Sequence, residues 1–582
     1  MPINTQVVRG HAHDSGEPAR QRPASREDDE MGADRASQRR RRRSSQTHQE
    51  SLMWFPSITA WFESLDRKKS ITVLTLVYIN LINYMDRSTV AGMIDSIKND
   101  PYFQIHHDQY LGLLQTAFVF CYMIFAPLFG YLGDRYDRTW IIGFGITFWS
   151  ISTLVGSFMT NFWMFLLFRA FVGIGEASYS TIAPAIISDL FSKDTRSKVL
   201  ALFYFAIPVG TGLGYMVGAE VADRSDDWRW GLRMTPFMGL LAILGVWFVM
   251  EDPPRGVSEG AHLRPTSPRV DLNALRKNKS FIFSTIAFTC VTFSAGALMW
   301  WGPQFAFYGA KAACGSKAGC ENIMQSDVSY KFGIVMTFAG LIGVPAGSYV
   351  SQKIRHRVPN ADPIVSGTSL LLSVPVLFIG FVVARYNVGW CYTLTFLAGD
   401  HDLLYLCLLL NCNWAIVSDM TLYIVIPTRR SLASATQILT SHAFGDAISP
   451  YLVGVLADLI RPIISTEDSA DTSSFAAGKG GFTPKYYDIE FRSLQYALFL
   501  SCFFQAFGAL FFFITSFYVL DDKALADMAI TSGVSDDPLD DENDDTVPIV
   551  RAMANQQNNG LLYRDNPSIE EVPIVSDSSR RN

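Results

Sequence analysis

Twelve stretches of the chain are long, apolar and poor in charge: residues 71–94, 111–132, 139–160, 163–190, 197–222, 232–250, 281–309, 329–351, 364–385, 404–427, 431–460 and 494–519. A helix needs about 20 apolar residues to cross the hydrocarbon of a bilayer. Backbone polar groups in that layer must bond internally, which favours helices over irregular chain. The pattern therefore predicts an all-α membrane protein with twelve transmembrane helices. It also predicts a layout: a polar basic tail over 1–69, a six-helix bundle over 70–250, a basic linker over 251–280, a second six-helix bundle over 281–520, and an acidic tail over 521–582. Both tails are too polar to bury a core and are read as disordered.

Composition agrees. Hydrophobic residues make up 49% of the 582 positions and charged residues 18%, against about 25% charged in soluble domains. The net charge of -6 says less than its placement. Arg39 to Arg43 form a run before the first span, and Arg135, Arg138, Lys193, Arg196, Lys198, Lys353, Arg355, Arg357, Arg429 and Arg430 fall in alternate loops. Arginine and lysine collect on the cytoplasmic side, so both termini are expected inside; Arg224, Arg229 and Arg233 run against the trend. Beside a first span, the arginine run suits anionic lipid or topology better than nucleic acid. No apolar leader precedes residue 52, so no secretory signal peptide is expected. Six of the eight cysteines lie in or beside spans; Cys314 and Cys320 share an outer loop and are a candidate disulfide, with two free thiols as the other reading. No nucleophile–base pair or metal-spaced cluster stands in the spans, so neither an enzyme nor a resident cofactor or metal is expected.

The chain also repeats itself. "AIISD" (185–189) returns as "AIVSD" (415–419), and "YMVGAEVAD" (215–223) as "YLVGVLAD" (451–458). Gly130 with Asp134 is echoed weakly by Gly347 with Ser351. Two ordered matches argue for duplicated halves, an architecture of transporters that place their site at mid-membrane between the halves.

Charges inside spans are costly and usually functional. Arg169, Gly173 and Glu176 lie at i, i+4 and i+7 and share one helix face. Arg169 and Glu176 are separated by about 10 Å of rise, too far for a simple direct pair, so a third group is expected. Asp86 and Arg87 in the first span are about 100° apart around their helix and aim at different partners. Two acids and two arginines confined together titrate as a coupled set, and an acid that takes up a proton loosens its hold on arginine. That links proton binding to conformation; a static network joining two helices is the alternative. In "GYLGDRYDR" (130–138), Asp134, Arg135 and Arg138 are either a conformational latch or a topogenic turn. Pro208 and the stripe Gly210, Gly214 and Gly218 permit close helix approach, at a rocking interface or a static one. His442 and Asp446 share a face at i, i+4, as a second proton or substrate site or a hydrogen-bonded pair. Asn413 and Trp414 offer polar and aromatic groups to a head group or to a neighbouring helix.

"GYLGDRYDR" and "RAFVGIG" resemble signatures of the major facilitator superfamily. "NYMDRSTVAGMI", "GIGEASYSTIAPAIISDLF", "YFAIPVGTGLGY", "DWRWGLR", "EDPPRG" and "IPTRRSLASATQILTSHAFGDAISPYLVG" resemble its Spinster family, over about residues 70–520. The resemblance implies two six-helix bundles working by alternating access. It implies transport of sphingoid lipids such as sphingosine-1-phosphate, or of lysophospholipids, with proton linkage. By the same resemblance Glu176 and Asp86 would be the protonation pair, with Arg87 and Arg169 as cationic partners. Asp134 and Arg138 would form a cytoplasmic latch with Asp189 and the start of helix eleven. Asp137 and Thr139 depart from the superfamily loop. The expected partners are an amphiphilic lipid, protons and the bilayer, in a monomer of the lysosomal (late endosomal) or plasma membrane. A transporter of a small organic anion or sugar, and a receptor or scaffold acting through its tails, are the other readings.

Overall fold

The computed structural model describes residues 67–191, 193–250, 252, 268–314, 323–384, 404–426, 429–467 and 484–532. Of the expected tails, residues 1–66 and 533–582 lie outside these residues, as do the stretch 386–403 and Cys320, whereas 521–532 continue the last helix. The first half comprises α1 (Arg67–Gly92), a short α2 (Ile94–Lys98), α3 (Asp108–Arg135), α4 (Arg138–Gly156), α5 (Phe162–Leu190), α6 (Lys193–Ser225) and α7 (Arg229–Val249). The second comprises α9 (Lys279–Cys314), α10 (Gln325–Arg355), α11 (Ala361–Val383), α12 (Leu404–Tyr423), α13 (Arg430–Ser441), α14 (Ser449–Glu467) and α15 (Pro484–Ser532). Between them lies α8 (Pro268–Lys277). The long helices form the twelve spans of the expected fold, with α13 and α14 making up one broken span. Among the described residues, ten helices are long and apolar enough to cross a membrane on those criteria alone. Asn80, Asn83, Asp86 and Arg87 dilute the apolar character of α1.

Three elements differ from the hydropathy reading. The expected linker contains α8, pinned to the second half by Arg429 Nε donating to Asp271 Oδ1 at 2.7 Å and by buried Leu275. The last helix begins at Pro484 rather than 494, which carries Glu490 inside it. The eleventh span is broken by a π turn at His442–Asp446, where the Ala447 N–H reaches the His442 carbonyl at 3.0 Å. π turns of this kind concentrate at functional sites.

The glycine stripe of α6 packs within its own half. A Cβ at Gly210 would lie 2.4 Å from the Leu81 carbonyl oxygen, and one at Gly214 2.3 Å from that of Met85; at Gly218 it would meet Thr89 at 2.7 Å. All three belong to α1, so the stripe seats α6 on the helix that carries Asp86 and Arg87. The face of α6 turned to the other half uses Pro208 and Gly212 instead, against Gly340, Gly333 and Thr337 of α10. Gly214→Val is expected to push α1 off α6 and cost about 1–3 kcal/mol, read as a lower melting temperature of the purified protein. Gly130, by contrast, faces open space.

Hydrogen bonds joining the halves gather at mid-span and at the end that carries residues 93–107. There the Tyr215 hydroxyl donates to the Met299 carbonyl (2.6 Å), Ser329 Oγ to the Gly92 carbonyl (3.0 Å), and Gln304 Nε2 to Asp95 Oδ1 (3.1 Å). At mid-span Thr116 Oγ1 donates to the Ala447 carbonyl at 2.5 Å.

Candidate functional site

The charges of α1 and α5 meet as two crossed pairs. Arg169 Nη1 donates to Asp86 Oδ2 at 3.2 Å, and Arg87 Nη2 pairs with Glu176 Oε1. Neighbouring residues on α1 thus serve partners two helical turns apart on α5, as their angular separation requires. Asp86, Arg169 and Glu176 are 1–2% exposed, whereas the Arg87 side chain retains 17%.

Gly173 explains the surroundings. It sits between Arg169 and Glu176 on the shared face, and a Cβ there would lie 2.2 Å from the Phe118 carbonyl oxygen of α3. Without a side chain at 173, α3 closes onto α5 and sets the Phe118 ring beneath both guanidiniums, 5.0 Å from Arg87 and 5.3 Å from Arg169. Tyr84 and Tyr122 complete the aromatic surround of Arg87 at 5.1 and 5.3 Å. A desolvated cation over an aromatic face gains about 2 kcal/mol, so Arg87 is held by rings as well as by its acid. Arg87 Nε and Arg169 Nε and Nη2 are buried without a hydrogen-bond acceptor among the described residues.

Sequence reasoning missed two parts of this site. Thr235 of α7 donates its hydroxyl to Asp86 Oδ1 at 2.6 Å, fixing the carboxylate oxygen that Arg169 leaves free. One threonine in a seventh element carries no spacing signal. The rings of α3 were legible only as generic apolar residues.

Across the boundary between halves stands a second cluster. His442 Nδ1 and Asp446 Oδ1 share a hydrogen bond of 2.9 Å on the π turn. The Trp414 ring lies 6.4 Å from His442 and packs edge-on against Phe288 at 5.0 Å. On the first-half side, the Tyr122 ring lies 5.3 Å from the Arg87 guanidinium and its hydroxyl accepts from Ser180 Oγ at 3.0 Å. Asn413 is elsewhere: fully buried, it accepts from Ser369 Oγ of α11 at 3.5 Å and donates to the Leu410 carbonyl at 3.4 Å.

At the opposite end of the first half, Arg138 Nη1 bonds Asp189 Oδ2 at 2.5 Å, and its Nε donates to the Gly133 carbonyl at 3.2 Å. Its backbone N–H donates to Asp252 Oδ2 at 3.1 Å. Asp137 caps α4 through the N–H groups of Thr139 (2.8 Å) and Trp140 (3.3 Å), a local use for the acid that departs from the superfamily loop. Arg135 is exposed over the Tyr131 ring at 4.3 Å; the Asp134 side chain lies outside the described residues. Cys314 is disulfide-bonded.

Comparison with known proteins gives the family. The Major Facilitator Superfamily profile matches residues 76–450. Protein spinster of Drosophila melanogaster is 46% identical over 509 residues, covering 82% of each chain. Protein spinster homolog 1 of Homo sapiens is 43% identical over 472 residues, covering 80% of this chain and 83% of its own. The crystal structure of a bacterial homologue of the human lysosomal transporter Spinster, inward-facing and unoccupied, superposes with a TM-score of 0.66 at 19% identity, covering 79% of this chain and 99% of that one. A chain with this profile match, this fold and relatives of this closeness belongs to the Spinster family of the major facilitator superfamily and is a multi-pass membrane transporter.

Proposed function

We propose that this transporter carries a single-chain phospholipid, a lysophospholipid or sphingosine-1-phosphate, and couples its movement to protons. The observation that carries this reading is the pair of crossed ion pairs, Arg87–Glu176 and Arg169–Asp86, buried at the heart of the first half. Protonating Glu176 removes the charge that engages Arg87. The guanidinium then turns to a phosphate, while Tyr84, Phe118 and Tyr122 offer apolar faces to the start of the acyl chain. Asp86, held by both Arg169 and Thr235, keeps the second arginine in place. His442, Asp446 and Trp414 form the opposing wall, contributed by the second half. With both termini cytoplasmic, the end carrying residues 93–107 faces a late endosomal or lysosomal lumen, whose acidity supplies the proton.

The test is transport by the purified chain in proteoliposomes, with lysophospholipid, sphingosine-1-phosphate and a soluble organic anion offered separately. The expected result is lipid flux that accelerates under an imposed pH gradient. Flux of the soluble anion without lipid flux overturns the reading in favour of a small-solute transporter. Absence of any flux, with cellular function lost on deleting 1–50 and 525–582, overturns it in favour of a receptor.

A further inference from the structure

Two acids that the internal repeat makes equivalent each cap a helix of the opposite half. Asp223 ends "YMVGAEVAD" on α6, and Asp458 ends "YLVGVLAD" on α14. Asp223 Oδ2 accepts the backbone N–H of Ser326, second residue of α10, at 3.1 Å. Asp458 Oδ1 and Oδ2 accept the N–H groups of Asp108 and Gln109, the first two residues of α3, both at 2.9 Å. The opening N–H groups of a helix have no acceptor within it, and that terminus carries partial positive charge. His107 and Met324 occupy the N-cap positions of α3 and α10, and neither makes a side-chain capping bond. The caps come from across the boundary between halves instead.

Each cap is backed by its own network, and the two networks differ. Beside Asp458, Arg461 donates to Asp458 Oδ1 at 2.7 Å and Glu490 Oε2 at 2.8 Å, and also pairs with Asp108. Lys98 Nζ lies 2.8 Å from Asp108 and 3.0 Å from Glu490. Burial opposes the charge on Lys98, but Asp108, Tyr308 and Glu490 outweigh it and hold the ammonium above its ordinary pKa. Lys98 and Asp108 belong to the first half, Arg461, Asp458 and Glu490 to the second, so the ionic network also straddles the boundary. On the Asp223 side the links are mainly amides and hydroxyls: Gln325 Oε1 accepts from Ser96 at 3.3 Å, and Gln304 Nε2 reaches Asp95 at 3.1 Å.

We propose that Asp223 and Asp458 are a matched pair of cross-half helix caps that hold this end of the transporter shut, and that both release before it opens. The repeated stretch ends in an acid in each half, and each acid reaches the first turn of a helix in the other half. Opening strips the first turns of α3 and α10 of their acceptors together, which makes the closed state cooperative between the two sides. This concerns the conformational cycle and holds whatever the cargo.

The test places spin labels at Tyr102 and Met324, exposed positions on opposite halves at this end, in the full chain in nanodiscs. Distance distributions are compared among the parent, Asp223→Ala, Asp458→Ala and the double variant. Loss of a helix cap is expected to raise the long-distance, open population about fivefold in each single variant and about 25-fold in the double. Asp458→Asn keeps an acceptor oxygen and falls between parent and alanine. An unchanged long-distance population in both Asp223→Ala and Asp458→Asn, or in the double variant, overturns the proposal. Asp223→Ala breaks a single hydrogen bond at a half-buried position and keeps the test open should the double variant not fold.

Discussion

Arg169→Ala is expected to lose about 3–5 kcal/mol of stability, enough to abolish a well-folded population. Arg169 is 2% exposed, and its removal leaves Asp86 buried with Thr235 as its one remaining hydrogen-bond donor among the described residues. A buried carboxylate stripped of its cation carries its full desolvation cost, and the rings of α3 lose the guanidinium that Phe118 underlies. If the pairing is the cause, Asp86→Asn in the same chain recovers part of the loss, because the charge that lacks a partner is gone. The measurement is thermal unfolding of the purified single and double variants. Arg169→Ala melting with the parent, or the double variant melting below the single one, contradicts the assigned pairing.

Glu176→Gln is expected to fold and to lose pH-driven transport. The contrast with Arg169 follows from the partner each leaves behind. Arg87 keeps 17% exposure and three aromatic neighbours, so it survives the loss of its acid's charge, and glutamine still offers a carbonyl oxygen to Nη2. Without a titrating group, however, nothing at this position changes with proton concentration. Flux of lysophospholipid at symmetrical pH persists, while stimulation by an imposed gradient falls at least about tenfold, equivalent to about 1.4 kcal/mol of lost coupling. Parent-like stimulation in Glu176→Gln removes this residue from the coupling step.

Much of this site is legible in the order of residues along the chain. The seven-residue reach from Arg169 to Glu176 demands an intervening group, and the angular split of Asp86 and Arg87 requires two separate partners. Which acid meets which arginine is not legible there, because the relative depth of α1 and α5 is set by packing. That packing runs through Gly173 against Phe118 and through Gly210, Gly214 and Gly218 against α1. The glycine stripe announces a close contact without naming its partner, and the partner is α1 rather than the opposite half. Asn413 has the chemistry of a binding residue, but its position on α12 turns it into Ser369. The π turn under His442 has no one-residue signature, since it arises where Gly445 and Gly296 let α9 and the broken span interlock. The capping acids are visible as the last letter of the repeat, yet their acceptor role depends on helices from the other half. Lys98, Arg461 and Glu490 are scattered across the chain, and only the fold brings them together.

These parts fit one cycle. In the proposed cycle a proton on Glu176 releases Arg87 to a lipid phosphate, and Arg169–Asp86–Thr235 is the frame that stays in place. The most direct measurement is proton movement itself, followed with a trapped pH dye when lysophospholipid is added to proteoliposomes of the parent chain and of Glu176→Gln. The account predicts a lipid-dependent pH change in the parent that is absent from the variant although lipid still moves. Lipid flux in the parent with no accompanying pH change, or an equal pH change in both proteins, contradicts it.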